Sequence, residues 1–169
     1  MNMEVILDRI LEKYKEYKPI VHTFKEKEFY YIDGDNGFVI EIKNPNGKSL
    51  FIDLEDEITI SFGDWHCHYY YEDWPDIEDV LEKVDNILNN KDCYLIIFSN
   101  NKYFGCGSSI NKDKYNEDDI VDFIWNFSDK MAFNKFSETF KKYGAVAKCV
   151  YWDKNKNYEI NVNKEKFNI

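Results

Sequence analysis

The chain has 169 residues, of which 44% are hydrophobic and 18% aromatic, and its formal net charge is −10. This length suits one domain with a single core, and the apolar content is well above that of disordered chains. The excess of acid disfavours nucleic acids and anionic membranes as partners, because both bind basic surfaces.

The sequence also indicates the compartment. No apolar run approaches the roughly 18 residues of a membrane span, and residues 1–18 lack the apolar centre of a signal peptide, so we expect a cytosolic protein. Lys outnumbers Arg by 21 to 1 and Gln is absent, which is typical of an AT-rich bacterial genome. No CxxC pair occurs, which predicts reduced, mostly buried thiols rather than a zinc ribbon or a redox motif. The four cysteines are Cys67, Cys93, Cys106 and Cys149.

The N-terminal part combines a helix with a hairpin. Apolar residues at helical spacing predict a helix over 3–17 that stops before Pro19. Farther on, a turn-rich loop separates two runs of β-formers, 29–32 and Phe38–Ile42. This arrangement predicts a hairpin.

Two alternating segments follow. Leu50–Leu54 and Glu57–Phe62 alternate apolar and polar residues, which predicts paired strands with one buried and one wet face. The wet face is expected to carry three carboxylates: Asp53, Glu55 and Glu57. Pairing is predicted to continue over 65–71, after a bulge or tight turn at Gly63 and Asp64.

The second half of the chain is also predicted to combine helices and strands. Apolar residues at helical spacing between Ile77 and Leu88 predict an amphipathic helix, with Pro75 in its first turn. The pair Asn100 and Asn101 suits a two-residue hairpin loop between strands over 93–98 and 102–106. The remaining periodicity predicts helices over 120–127 and 133–140, followed by strands over 146–152 and Tyr158–Val162.

Strands in adjacent hairpins with helices between them predict a single α+β domain over residues 1–169, with a largely antiparallel sheet and helices packed on one face. Matching periodicity indicates which residues form its core. The predicted core comprises Ile52, Leu54, Ile58, Ile60, Val80, Leu81, Val84, Ile96 and Phe98.

Most of the negative charge comes from one segment. Between Phe51 and Asp92 there are 13 acidic and two basic residues, a segment charge of about −11 that accounts for the whole-chain value. The same segment contains the run 62–74, with two of the three histidines and two of the four tryptophans. We therefore expect any functional site here.

Two of its histidines form a candidate metal pair. His66 and His68 would share one face of a strand, with Cys67 on the other. Together with Glu72 the spacing is HxHx3E, which resembles the first metal motif of the cupin family and implies a metal-dependent enzyme or small-molecule binder on a β-barrel. The second cupin motif needs a later histidine, which this chain lacks, and His22 falls in a predicted loop. The alternative is that the histidines form hydrogen bonds on a half-exposed sheet, so we assign no metal, cofactor or catalytic residue.

A second resemblance covers roughly 51–104. The strand with the FG-aromatic-His-x-His pattern, its acidic helix and the strand 93–98 resemble bacterial immunity proteins of polymorphic toxin systems. These are small, acidic, cytosolic proteins that bind and block a cognate toxin. The resemblance implies a toxin-binding protein rather than an enzyme, and it transfers no residue role.

The residues themselves favour protein binding. Aromatic side chains bordered by charge are typical of protein interfaces, and the excess of acid favours a basic protein as the partner. The resemblance to immunity proteins implies that this partner is a toxin, such as a nuclease-type toxin. Trp65, if exposed, would be the anchor of this interface. The predicted partner-binding residues are Asp53, Glu55, Glu57, Asp64, Trp65 and Glu72.

Overall fold

The computed structural model describes residues 3–23, 37–55, 57–70, 77–108, 114–127 and 130–168. The helices are α1 (Met3–Lys13), α2 (Ile77–Leu88), α3 (Glu117–Phe127) and α4 (Lys130–Tyr143), with short 3-10 turns over Lys15–Tyr17, Lys154–Lys156 and Lys164–Phe167. The strands are β1 (Ile20–Thr23), β2 (Phe38–Ile42), β3 (Leu50–Leu54), β4 (Glu57–Phe62), β5 (Trp65–Tyr70), β6 (Tyr94–Ser99), β7 (Lys102–Ser108), β8 (Ala145–Val150) and β9 (Tyr158–Val162).

The strands form two antiparallel sheets. The first has the order β1-β2-β3-β4-β5 and the second β7-β6-β8-β9. The α+β class is therefore confirmed, but the prediction of one sheet is wrong. The predicted strand over 29–32 lies outside the described residues, and within them β2 pairs with β1 and β3.

The chain divides into two compact units, Met1–Leu88 and Asn89–Ile169, each of which contains one sheet. That they make up one domain stays a prediction. Charge is distributed unequally between them. The N-terminal unit has 21 acidic and 9 basic residues, a net charge of −12, whereas the C-terminal unit has 11 acidic and 13 basic residues, a net charge of +2.

The first sheet has an inner face that is packed in the core, because apolar side chains alternate with polar ones along its strands. Its buried side chains include Ile40, Ile42, Leu50, Ile52, Leu54, Ile58, Ile60 and Phe62. The two-residue turn at Gly63 and Asp64 pairs Phe62 directly with Trp65, and Gly63 takes the positive φ of 64° that such turns require. Directly paired residues share a face, so Trp65 also points inward.

The helices of the N-terminal unit lie on this inner side. Lys83 of α2 places its Nζ 5.0 Å from the centre of the Trp65 ring. Helix α1 in turn contacts α2, because Lys13 pairs with Asp85 at 2.7 Å. Tyr14, which directly follows α1, adds to this contact, with its hydroxyl 2.9 Å from the carbonyl oxygen of Leu81 and 3.0 Å from Oδ1 of Asp85. The inner side is therefore closed by α2 and α1.

The C-terminal unit has its own core. Side chains of the second sheet pack with those of α3 and α4, so helices cover one face of this sheet, as predicted. This core includes Leu95, Ile97, Ala147, Cys149, Ile120, Ile124 and Phe140. The loop at Asn100 and Asn101 has two residues with φ of 48° and 59°, which confirms the predicted hairpin.

One predicted core residue is wrong. Phe98 is only partly buried, while the other eight are buried. Alternation along β6 puts Phe98 on the face opposite Leu95 and Ile97, with the Lys148 Nζ 5.2 Å from its ring centre. Separately, no helix in the described part of the chain is long and apolar enough to cross a bilayer.

Candidate functional site

The face of the first sheet opposite the core, here called the outer face, is rich in polar groups. Cross-strand pairing sets its side chains in two rows. One row is Ile20, Glu41, Phe51, Ser61 and His66, and the other is His22, Val39, Asp53, Thr59 and His68. Glu55 and Glu57 extend this face beside Asp53, and all three histidines of the chain lie on it.

Asp53, Glu55 and Glu57 lie close together, as the alternation predicted. They were predicted to lie on a solvent-exposed face, but all three side chains are only partly exposed. The pKa of the Asp53 carboxyl is raised to about 6, first by burial and then by the negative charges of Glu55 and Glu57. The Oδ1 atom of Asp53 is buried and has no hydrogen-bond partner among the described residues.

Close backbone packing contributes to this burial. Val39, the neighbour of Asp53 on β2, is only 4% exposed although it lies on the outer face. At Gly37, just before β2, an added Cβ would lie 2.7 Å from Cγ of Glu55. A side chain at position 37 would therefore displace Glu55. Glycine at this position leaves the space that the Glu55 side chain occupies.

His68 joins the acidic group from the edge strand β5. Its Nδ1 lies 2.5 Å from Oε1 of Glu57 and 3.1 Å from Oγ1 of Thr59. The His66 ring meets the His68 ring edge-on, with centres 4.9 Å apart. The predicted shared face of the two histidines is thus confirmed, and both belong to the polar outer face.

Cys67 points to the opposite side, as predicted. It pairs with Ile60 on the inner face, and burial is the main reason why the pKa of its thiol is raised. A thiol with a raised pKa has little thiolate at neutral pH, which argues against nucleophilic chemistry at this position.

No His, Cys, Asp and Glu side chains converge in groups of three or more with metal-binding geometry within the part of the chain that the structure describes. Glu72, the third member of the cupin-like set, lies outside that part. Among the described residues, Glu57 on the neighbouring strand contacts His68. The absence of a bound metal stays a prediction.

A second polar network on this face was missed by the sequence. His22 lies on β1 rather than in a loop, and its Nε2 is 3.1 Å from Oε2 of Glu41. Ser49 donates its hydroxyl to Oε1 of the same carboxylate at 2.9 Å. The carboxylate stands between the serine and the histidine, so this is not a nucleophile–base pair. The sequence does contain a signal for strand β1, because the residues from Ile20 to Thr23, directly after Pro19, include β-formers.

Trp65 does not meet the condition set for an interface anchor. It was expected to act there if exposed, but its side chain is only 7% exposed and packs in the core of the N-terminal unit. The physical reason is the two-residue turn, which directs Trp65 to the same side as Phe62. Asp64, within that turn, is exposed.

The acidic segment does not form one continuous surface. Glu78 and Asp85 of α2 pair with Arg9 and Lys13 of α1, on the inner side of the sheet. Asp53 lies on the outer face. The acidic residues of this segment are therefore divided between the two faces of the sheet. Some of them are already paired with basic side chains of α1.

Comparison with known proteins adds no family to this description. The chain matches no protein-family model, no curated protein and no solved structure.

Proposed function

We propose that the N-terminal unit is an acidic protein-binding module that holds a basic protein on the outer face of its first sheet. The observation that carries this proposal is Asp53, a half-buried carboxylate next to Glu55 and Glu57 whose Oδ1 atom has no hydrogen-bond partner in the described part of the chain. Such an arrangement is unfavourable in the isolated protein. A cation supplied from outside would relieve it.

The contrast with α2 supports the outer face as the binding surface. Glu78 and Asp85 already pair with cations of α1. Asp53 has no cationic partner among the described residues. A Lys or Arg side chain of a partner would supply both the missing donor and the opposite charge, and charge-assisted hydrogen bonds of this kind are about twice as strong as neutral ones.

The overall charge distribution fits the same partner. A net charge of −12 on one unit creates a negative potential that accelerates encounter with a basic protein. The sequence between residues 51 and 104 resembles immunity proteins, which are small acidic cytosolic proteins that bind and block a cognate toxin, and this resemblance supports a partner of that kind. We therefore infer that the partner is a basic, nuclease-type toxin and that binding occurs in the cytoplasm.

The test uses two charge-reversal variants with equal net charge. The first reverses the outer face, Asp53→Lys, Glu55→Lys and Glu57→Lys. The control reverses three exposed acids on the other side of the unit, two in α1 and one in the 3-10 turn Lys15–Tyr17: Glu4→Lys, Asp8→Lys and Glu16→Lys. Basic proteins captured from a lysate of the source bacterium are identified, and the association rate of each is then measured at low salt.

We expect the outer-face variant to slow association by about tenfold or more at low ionic strength, and the control to stay within about threefold of the unmodified protein. Circular dichroism checks that both variants remain folded. Equal rates for the two variants would show that only the total charge matters and would overturn the assignment of this face.

A further inference from the structure

Two cysteines meet in the core of the C-terminal unit. Cys93 directly precedes β6, Cys149 lies on β8, and their thiols share a hydrogen bond. The two side chains are 2% and 0% exposed, and both are free thiols. They belong to the C-terminal unit, whereas the proposed function concerns the N-terminal unit. The pair therefore needs an explanation of its own.

Strand pairing explains why the thiols meet. Leu95 pairs with Cys149 and Tyr94 with Val150, so Cys93 and Cys149 are diagonal neighbours on the core-facing side of β6 and β8. Diagonal neighbours are about 7–8 Å apart, with their Cβ atoms closer, and a disulfide needs Cα atoms within about 7 Å of each other. Because the thiols are already in contact, a bond between them requires at most a small approach of the two strands.

Two tyrosines hold the thiols in place. The Tyr151 side chain forms a hydrogen bond with Cys93, and the Tyr158 side chain forms one with Cys149. The Tyr158 hydroxyl also accepts the backbone N–H of Tyr115 at 2.8 Å. Connected polar groups of this kind make a buried site rigid. The thiols are therefore positioned toward each other before any reaction.

We propose that Cys93 and Cys149 are a redox-sensitive pair that forms a reversible disulfide and so joins β6 to β8 covalently. The oxidant is a small disulfide of the glutathione class. One cysteine thiolate attacks this disulfide, which forms a mixed disulfide and expels the first small thiolate. The second cysteine thiolate attacks the cysteine sulfur of the mixed disulfide and expels the second. The pair loses two electrons and two protons, and the oxidant becomes two small thiols.

Burial makes this reaction slow without making it unfavourable. The hydrogen bond with Cys93 and burial raise the pKa of the Cys149 thiol, so little of the reactive thiolate forms. The oxidant reaches the thiols only when the strands open locally. After the first step, the contact between the two cysteines gives the second thiol a high effective concentration, which favours the internal bond. The test must therefore be made at equilibrium.

The first measurement detects the bond. The full chain is equilibrated with equal millimolar concentrations of reduced and oxidised glutathione, remaining thiols are alkylated in denaturant, and tryptic peptides are mapped without reduction. The proposed bond links peptides 92–102 and 149–154, and we expect it in more than half of the chains. Cys106→Ser is the control, because Cys106 pairs with Ile96 on the other face of the sheet, and it should leave the yield unchanged. A linked fraction below about a tenth would overturn the proposal.

The second measurement tests the consequence of the bond. A cross-link that closes a long loop restricts the unfolded chain, so we expect amide exchange of β6 and β8 to slow by about tenfold or more in the oxidised protein. Cys93→Ser and Cys149→Ser, each compared in the same two buffers, should show neither the linked peptide nor the slowing. Exchange that is unchanged or faster in the linked protein would mean that the bond strains the sheet, and would overturn its assignment as a lock between the strands.

Discussion

Trp65→Ala is expected to destabilise the N-terminal unit by about 3–5 kcal/mol, the usual cost of truncating a buried aromatic side chain. The ring is 7% exposed, lies opposite Phe62 and has the Lys83 Nζ 5.0 Å from its centre. Alanine would leave a cavity between β5 and α2. Urea unfolding, followed by amide exchange of the first sheet, measures the loss.

Two variants test the cause of this loss. Trp65→Phe keeps most of the buried volume and should cost less than half as much, whereas Tyr17→Ala removes a ring that is 42% exposed and should stay within about 1 kcal/mol. If Trp65→Ala left stability unchanged and instead accelerated dissociation of a partner, Trp65 would be an interface anchor and its place in the core would be wrong.

The turn before Trp65 contained the information needed to place it. In a two-residue hairpin the flanking residues pair directly and point to the same side of the sheet. Alternation over Glu57–Phe62 places Phe62 on the buried face, so Trp65 had to follow it inward. Treating Gly63 and Asp64 as either a bulge or a tight turn left the register open, and a one-residue shift reverses the face of every later side chain.

Elements with strong periodicity were predicted well. The bounds of β3 and β4 agree with the structure residue for residue, and α2 contains all six apolar positions predicted for its helix, because one buried face imposes an alternating or helical pattern on each element. The Asn100–Asn101 loop was predicted for a different reason. Asparagine tolerates positive φ better than most residues, and both positions have it.

Weak or ambiguous patterns account for the errors. Strand β1 has four residues, too few to show a period, so His22 and its contact with Glu41 were missed. In β6 the continuous apolar run hides which face each residue occupies, and Phe98 was placed in the core for that reason. The division into two sheets has no local signal either, because strand partners separated by a helix are chosen by packing.

The half-burial of Asp53 was also beyond the sequence, since an alternating strand predicts which side a residue faces but not how much of it the neighbouring groups cover. Its consequences extend to stability. A carboxyl whose pKa is higher in the folded than in the unfolded state destabilises the fold wherever it is ionised. Natural proteins accept such costs mainly at functional sites.

Asp53→Asn is therefore expected to stabilise the N-terminal unit at pH 7.5. The pKa rises from 3.8 to about 6 on folding, and since the carboxylate is half-buried and partly screened by solvent, we expect a gain of about 1–2 kcal/mol. Below about pH 4 the carboxyl is protonated in both states and the gain is absent; it grows as the pH rises to about 6 and is constant above that. Amide exchange of β3 and β4 at pH 4 and pH 7.5 measures it.

The control is Asp8→Asn on α1, an exposed position where the change should stay within about 0.5 kcal/mol at both pH values. If Asp53→Asn destabilised the unit at pH 7.5, the carboxylate would be satisfied within the fold, and the argument that it awaits a cation from a partner would lose its basis. A variant that is more stable and yet binds a basic protein less tightly would be the opposite result. It would show that the acid is retained for binding at the expense of stability.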